Sequence, residues 1–212
     1  MFAQSGANVM ATSRAGSNGV SGADEWSGKM FIRSKRLFLR PGWPEDWTEL
    51  YTAINDEGVV RNLASAPWPY TMEDAMAFAR RPQERMLPHF FVTLPSGSGA
   101  KLIGSVGLGA HDGEIELGYW IARSHWGQGY ATEAASAVLQ LAEVLGHRRV
   151  AAGHFADNPA SGRVLVKSGF KRTGGQSLRY SLGRGGEMAS IGYVVQLGVA
   201  CECDDDGYMR AA

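Results

Sequence analysis

Apolar and polar residues follow two different periods along this chain. A period of two, typical of strands with one buried face, recurs in short stretches rich in branched and aromatic residues. The strands that it predicts cover residues 36–40, 89–94, 101–108, 114–121, 149–155, 170–173, 178–182 and 189–197. A helical period predicts helices over residues 44–54, 58–63, 71–81, 130–145 and 160–167. Together the two periods predict a mixed α+β fold.

The connections between these stretches predict how the strands pair. Residues 89–94, 101–108 and 114–121 follow one another through tight turns, which favours an antiparallel meander. The helix over 130–145 gives the chain room for a crossover, so residues 149–155 can lie parallel to residues 114–121. We therefore expect a mixed sheet that is mostly antiparallel and is flanked by helices.

The two ends of the chain differ from its middle in composition. Residues 1–29 are rich in Gly, Ser, Ala and Asn without an apolar period, which predicts a flexible N-terminal segment. Residues 201–212 contain three consecutive aspartates and predict a solvated C-terminal tail. One domain over residues 30–200 is the expected organisation of the 212-residue chain.

Charge and cysteine usage narrow the class of protein. The 21 basic and 21 acidic residues balance, so neither nucleic acid nor a membrane surface is an expected partner. Cys201 and Cys203 are too few for a disulfide framework or a zinc site, so no metal is expected and a reduced, cytoplasmic setting fits. No apolar run is long enough to span a membrane, and residues 1–29 lack a signal-peptide core, which together predict a soluble protein.

A glycine loop joins the strand over 114–121 to the helix over 130–145. Gly127 and Gly129 let the backbone adopt positive φ, so several N–H groups can converge on one anion at the helix N-terminus. No Lys follows Gly129 as a Walker loop requires, and the third glycine of a dinucleotide fingerprint is missing. The loop indicates either a phosphate or pyrophosphate site or a plain connection between a strand and a helix.

Two motifs at their mutual spacing give the chain a recognisable resemblance. They are Trp126-Gly-Gln-Gly-Tyr-Ala-Thr-Glu-Ala134 and Asn158-Pro-Ala-Ser-Gly-Arg-Val-Leu-Val-Lys-Ser-Gly-Phe170. Over about residues 34–198 the chain resembles the GNAT superfamily of acyl-CoA N-acyltransferases, and within it the Rim-type branch of ribosomal-protein alanine N-acetyltransferases. It departs from the superfamily at Trp126, where Arg or Gln is usual, and from the branch at Lys167, where Glu is frequent. The resemblance implies a sheet of about seven strands, flanked by helices and splayed at the cofactor cleft.

The resemblance also implies acetyl-CoA as cosubstrate and a set of residues that bind it. The main chain of Tyr119, Trp120 and Ile121 would bind the pantetheine arm, and Asn158 would reach the same arm unless it only caps its helix. Amides from Gly127 to Ala131, with the Thr132 hydroxyl, would hold the pyrophosphate, although Thr132 also suits an ordinary helix start. The implied loop residues are Trp126, Gly127, Gln128, Gly129, Tyr130, Ala131 and Thr132.

Ser161 and Glu116 are the catalytic residues that the resemblance and the chemistry suggest. Ser161 matches a serine proposed in this branch to protonate the departing CoA thiolate, against an ordinary role in the first turn of a helix. Because the pKa of a hydroxyl is far above that of a thiol, Ser161 would act mainly as a hydrogen-bond donor to the developing charge on sulfur. Glu116 is a candidate base for the acceptor amine, because a protonated amine has no lone pair to offer. A solvated strand edge equally explains Glu116 and Glu114, and His111 and His154 are less favoured bases.

The expected function is transfer of an acetyl group from acetyl-CoA to a primary amine by direct attack in a ternary complex. The acceptor is a protein N-terminus or a small amine, and a homodimer is compatible with the resemblance. The acceptor groove should form from residues 43–81 and 183–187. Trp43, Trp68, Tyr70 and Phe90 either line it or belong to the core. The alternatives are a non-catalytic module that binds or senses acyl-CoA and, less favoured, a nucleotide-binding protein.

Overall fold

Strands and helices alternate through the residues that the computed structural model describes, 30–97 and 99–198. The strands are β1 (Ile32–Arg33), β2 (Phe38–Arg40), β3 (His89–Ser96), β4 (Gly99–His111), β5 (Glu114–Ile121), β6 (Arg149–Phe155), β7 (Lys171–Ser181) and β8 (Gly186–Gln196). The helices are α1 (Trp47–Ile54), α2 (Glu57–Val60), α3 (Met72–Ala79), α4 (Tyr130–Val144) and α5 (Pro159–Lys167). The predicted terminal segments 1–29 and 201–212, with both cysteines, lie outside these residues.

One sheet organises the fold, with the strand order β1-β2-β3-β4-β5-β6-β8-β7. Each neighbouring pair is antiparallel except β5 and β6, which are parallel because α4 carries the chain across between them. This architecture confirms the expected mixed α+β fold. The sheet has eight strands, one more than the resemblance implies.

The sheet is covered on both faces. Phe90 belongs to a core that α4 and α5 complete, with Val138 and Leu165 among its members. Its neighbour Phe91 points to the other face and joins a second core with Leu50 of α1. Among the described helices, α4 is the longest, with 15 residues. No helix within the described ranges is long and apolar enough to cross a membrane.

Three elements differ from the sequence prediction. β1 was not predicted, because two residues are too few to display a period. The predicted strands over 170–173 and 178–182 are one strand, β7, whose pairing with β8 is irregular between Arg172 and Gln176. Gly174 and Gly175 lie in that irregular stretch, and they give a sequence signal that is typical of a turn. The predicted helix over 58–63 is the shorter α2, which Asp56 caps by accepting from Val59 N.

The sheet opens between its two parallel strands. β5 and β6 share a single register pair, Glu116 with Ala151, near the start of β5. β6 instead pairs with β8 along its whole length, from Arg149 to Phe155. The last residues of β5 therefore have no strand partner on the β6 side, and a gap opens beside Tyr119. This gap is the splay that the resemblance implies.

Candidate active site

The loop between β5 and α4 has the backbone that the two glycines predict. Gly127 and Gly129 have φ values of +74° and +79°, which L-residues rarely adopt. Gly129 is the N-cap residue of α4 and has no side chain to satisfy the N–H groups of the first turn. Those N–H groups therefore remain available to an anion at the positive end of the helix.

Trp126 explains how this loop is fixed to the end of β5. Its indole Nε1 donates a hydrogen bond of 2.6 Å to the carbonyl of Ile121. The Arg123 guanidinium lies 5.9 Å from the centre of the indole ring. Trp126, at which the chain departs from the superfamily pattern, thus links the loop to the end of β5. It also occupies the Ile121 carbonyl, which was one of the predicted main-chain partners of the pantetheine arm.

The main chain of β5 faces the gap at alternate residues. Ala122 N donates to Ile103 O at 2.8 Å, which fixes the side of the ladder that bonds to β4. Along an antiparallel pair, alternate residues direct both main-chain groups to the partner strand. Trp120 therefore bonds to β4, and its main chain does not face the gap. Tyr119 and Ile121 direct theirs to the β6 side, and Tyr119 retains both groups for an extended ligand.

A cavity of about 410 Å³ brings the loop, the end of β5 and α5 together. Ten of the predicted cofactor-binding residues line it, and so does Ser161: Tyr119, Trp120, Ile121, Trp126, Gly127, Gly129, Tyr130, Ala131, Thr132 and Asn158. Gln128 is the exception, because its carbonyl is turned to Arg36 outside the cavity. We call this space the donor cavity.

Two basic side chains that the sequence prediction missed line the donor cavity. Arg163 and Lys167 lie four residues apart on α5, and no Asp or Glu is among the lining residues. This charge suits a polyanion such as a pyrophosphate. The sequence does contain a signal for these cations, because Arg163 and Lys167 form a basic pair four residues apart on a helix. Lys167 is also the residue at which the chain departs from the Rim-type branch.

Ser161 and Tyr119 are in direct contact within the donor cavity. The Tyr119 hydroxyl lies 2.7 Å from Ser161 Oγ and 3.1 Å from the Ser161 carbonyl oxygen. Burial raises the pKa of Tyr119 to about 12, with the side-chain hydrogen bond between Tyr119 and Ser161 opposing the rise and the nearby Tyr193 adding to it. Tyr119 therefore stays protonated at neutral pH and can donate to Ser161.

Asn158 holds the first turn of α5 in place. Its Oδ1 accepts from Ser161 N at 3.3 Å, so the capping role is observed. Its side chain also lines the donor cavity, and the predicted contact with the cofactor arm stays a prediction. Gly162 lets α5 approach β6 closely, since a Cβ there would lie 2.7 Å from His154 Nε2. These contacts fix the position of Ser161.

A second cavity, of about 700 Å³, opens on the face of the sheet that α1 and α3 cover. It shares Leu63, Tyr119 and Trp120 with the donor cavity, so the two spaces meet at the gap in the sheet. Asp74 and Glu84 supply carboxylates to its wall. We call this space the acceptor cavity.

Of the four aromatic residues predicted for the acceptor groove, only Tyr70 lines the acceptor cavity. Tyr70 lines the acceptor cavity, where burial and the charge of Asp74 raise the pKa of its hydroxyl. Phe90 is fully buried in the core. The ring of Trp43 packs 3.9 Å from the Arg40 guanidinium, and neither Trp43 nor Trp68 lines the cavity.

Glu116 is buried in an ion pair and is not solvated as a strand edge would be. Both of its oxygens accept hydrogen bonds from Arg179 of β7, at 2.8 and 2.9 Å. Glu116 lines neither cavity. Its predicted role as base therefore stays a prediction that requires an intervening water. Glu114 pairs with Arg149 at the partly exposed start of β5.

The other titratable candidates are also engaged. His154 is buried and its Nδ1 lies 2.8 Å from the Phe155 carbonyl, while His111 sits at the β4–β5 turn beside Asp112. Among the residues that the structure describes, no group of three or more His, Cys, Asp or Glu side chains could hold a metal ion.

Contacts of Leu182 and Arg184, which we call the clasp, hold the wall that both cavities share. The loop between β7 and β8 contacts the segment after α2, with Leu182 N donating to Ala64 O at 2.8 Å and Arg184 Nε to Arg61 O at 2.6 Å. Arg184 also makes a two-pronged ion pair with Asp157, at 2.8 and 3.0 Å. The predicted acceptor loop 183–187 thus packs on the wall of the cavities and does not line the acceptor cavity itself.

Asp157→Asn tests this clasp through pH. Hydrogen bonds from Arg184 lower the pKa of Asp157, burial opposes them, and the charges of Arg184 and Arg61 add to the lowering. A lowered pKa contributes stability that is present above about pH 4, the ordinary pKa of aspartic acid, and is lost as pH falls through the folded value. We expect the variant to melt below wild type at pH 7 and the difference to close towards pH 2.

Thermal unfolding of both proteins between pH 7 and pH 2 measures this difference. Asp112→Asn, at a side chain that is 89% exposed, is the control for losing one carboxylate. A difference between wild type and Asp157→Asn that stays constant over the whole pH range would contradict the assignment.

Comparison with known proteins identifies the family. Residues 36–171 match the acetyltransferase (GNAT) domain. The chain is 30% identical over 152 residues to the uncharacterized N-acetyltransferase YoaA of Bacillus subtilis (strain 168), covering 68% of this chain and 84% of that protein. A GNAT-family acetyltransferase structure from Bacillus anthracis superposes with a TM-score of 0.66 at 25% identity, covering 79% of this chain and 98% of that one.

The fold is also shared with a Rim-type enzyme. The ribosomal L7/L12 α-N-protein acetyltransferase RimL, solved in complex with coenzyme A, superposes with a TM-score of 0.63 at 18% identity. That comparison covers 79% of this chain and 98% of RimL. The domain match and the curated relative show more than a shared fold, and the chain therefore belongs to the GNAT acetyltransferase family as an acyltransferase.

Proposed function

We propose that the protein transfers an acetyl group from acetyl-CoA to a primary amine, which attacks the thioester directly in a ternary complex. The observation that supports this most is the meeting of the donor and acceptor cavities at Leu63, Tyr119 and Trp120. Two substrates held in separate cavities can react there without a covalent intermediate on the enzyme.

The donor cavity fits acetyl-CoA by its chemistry. Nothing lies within 4 Å of the place where a Cβ of Gly127 would be, so an anion can approach the loop closely. The first-turn N–H groups of α4 and the cations of Arg163 and Lys167 would bind the pyrophosphate. The main chain of Tyr119 would pair with the pantetheine amides. The donor itself supplies the activated thioester carbonyl.

Ser161 would assist the departure of CoA. When the Tyr119 hydroxyl donates a hydrogen bond to Ser161 Oγ, the hydroxyl proton of Ser161 is free to point to the thioester sulfur. As the amine nitrogen bonds to the carbonyl carbon, the carbon–sulfur bond breaks and negative charge develops on sulfur. The nitrogen loses one proton to give the amide, and the thiolate takes up one proton, so that CoA departs as the free thiol. A preorganised donor at that position stabilises the transition state more than the ground state.

The acceptor amine must reach the thioester in its neutral form. Asp74 and Glu84 line the acceptor cavity and are the carboxylates that an incoming ammonium would meet. Glu116 remains the predicted base only through water, since Arg179 holds both of its oxygens. Positioning of the amine against the thioester supplies a large part of the rate in either case.

The acceptor class is the open part of the proposal, with a protein N-terminus and a small amine as the two kinds. A cavity of about 700 Å³ accommodates the end of a peptide or a whole small molecule. The ribosomal-protein substrate in the name of RimL supports the first kind. A cytoplasmic setting belongs to the same proposal.

Incubation with acetyl-CoA and a panel of amines tests the function. The panel contains peptides with free N-termini, polyamines and aminoglycosides, with N-acetylated peptides as the matched control. We expect free CoA and an acetylated product with at least one amine, detected by mass spectrometry. Tight binding of acetyl-CoA without turnover of any amine would instead support the non-catalytic sensing module.

A further inference from the structure

Arg36 contacts the glycine loop although it lies 92 positions before Gln128 in the sequence. It lies between β1 and β2, and its Nη1 donates to the Gln128 carbonyl at 2.9 Å. Its Nε donates to Glu133 Oε2 and its main-chain N to Glu133 Oε1, each at 2.7 Å. The guanidinium also lies 4.5 Å from the centre of the Tyr130 ring. All of these contacts fall on residues 128–133, and Arg36 lies outside the donor cavity.

The contact with the Gln128 carbonyl fixes the direction of an amide. The carbonyl of Gln128 and the N–H of Gly129 belong to one planar trans peptide, so they point in opposite directions. With the carbonyl turned to Arg36, the Gly129 N–H points away from Arg36. Glycines flank Gln128 on both sides, so this peptide unit has little intrinsic resistance to turning over. The hydrogen bond from Arg36 opposes that rotation.

The contact with Glu133 neutralises a carboxylate whose negative charge would be unfavourable for a bound anion. Glu133 lies in the first turn of α4, where a carboxylate would repel a pyrophosphate bound at the helix N-terminus. Burial alone would raise the pKa of Glu133, but hydrogen bonds from the main chain of Arg36, from Ser34 and from the Arg36 side chain lower it. Glu133 is therefore ionised at neutral pH, and the Arg36 cation at 2.7 Å neutralises it.

We propose that Arg36 is a positioning residue for the donor substrate, which preforms the pyrophosphate loop and neutralises Glu133 without touching the substrate itself. This inference rests on the proposed binding of acetyl-CoA at that loop. It predicts an effect that is confined to ligands with a pyrophosphate. A purely structural role for Arg36 would weaken every ligand of the donor cavity alike.

Arg36→Met separates these two outcomes. We expect the dissociation constant of acetyl-CoA, measured by titration calorimetry, to rise about tenfold. Acetyl-pantetheine lacks the pyrophosphate, and its binding, measured by thermal-shift titration, should not change. Arg33→Met removes a neighbouring exposed cation of β1 and should leave both constants at wild-type values. Equal weakening of both ligands, or unchanged acetyl-CoA binding in a folded variant, would overturn the inference.

A second variant tests the charge directly. Glu133→Gln removes the carboxylate, so combining it with Arg36→Met should restore part of the acetyl-CoA affinity that Arg36→Met loses. No restoration in the folded double variant would overturn the electrostatic part of the inference. If wild type itself fails to bind acetyl-CoA, the proposed function fails, and that outcome is visible before any variant is compared.

Discussion

Replacing Gly127 by Glu is expected to lower the affinity for acetyl-CoA about 100-fold. The position lines the donor cavity and faces open space, so the new carboxylate would lie beside the proposed pyrophosphate. Two unit charges about 5 Å apart at an effective dielectric constant of about 20 repel by roughly 3 kcal/mol, which corresponds to that loss. Calorimetry at low ionic strength measures it, because salt screens the repulsion.

Gly146 offers a matched control for this substitution. It lies just beyond the other end of α4, has a φ of +90°, and faces open space as Gly127 does. Gly146→Glu therefore imposes a similar backbone strain of about 1–2 kcal/mol at about 20 Å from the loop. We expect lower stability in both variants and weaker acetyl-CoA binding only in Gly127→Glu. Wild-type affinity of folded Gly127→Glu would refute the placement of the pyrophosphate.

Ser161→Ala is expected to lower kcat about 100-fold while the KM for acetyl-CoA changes by no more than about twofold. Loss of one preorganised donor to developing charge typically has an effect of this size. The helix should be unaffected, because Asn158 caps the main chain of Ser161 and not its side chain. Steady-state kinetics with the best acceptor of the amine panel measures both constants.

Ser168→Ala is the control on the same helix. Ser168 is the C-cap residue of α5 and does not line the donor cavity. Its loss should leave kcat unchanged.

Tyr119→Phe keeps the ring and removes the hydroxyl that holds Ser161, so an intermediate loss of about tenfold in kcat is expected. Undiminished turnover by folded Ser161→Ala would remove Ser161 from the mechanism.

The local parts of the site were predictable from the sequence. Gly127 and Gly129, the start of α4 at Tyr130 and the cap at Asn158 each leave a signal within a few residues. Such signals express backbone preferences that the surrounding fold does not need to supply. The strand and helix periods gave the sheet and its crossover for the same reason.

The contacts between distant segments were not predictable. The Tyr119 and Ser161 hydroxyls meet across 42 positions of sequence, and Glu116 and Arg179 across 63. No periodicity encodes which charged residue faces which. Phe90 was assigned to either the groove or the core, because both faces of β3 are covered by helices and alternation cannot distinguish them. The sequence predicts two strands in place of β7, because Gly174 and Gly175 are typical of a turn.

Under the proposed function, the opening between β5 and β6 determines from which side each substrate arrives. CoA would approach over the face of α4 and α5 and the acceptor amine over the face of α1 and α3, so neither would have to leave before the other enters. The bulk of an acceptor beyond its amine can remain outside, and the dimensions of the gap restrict only the part that passes Tyr119. Selectivity between large and small acceptors would then reside in the rim around α3 and leave the chemistry at the sheet unchanged.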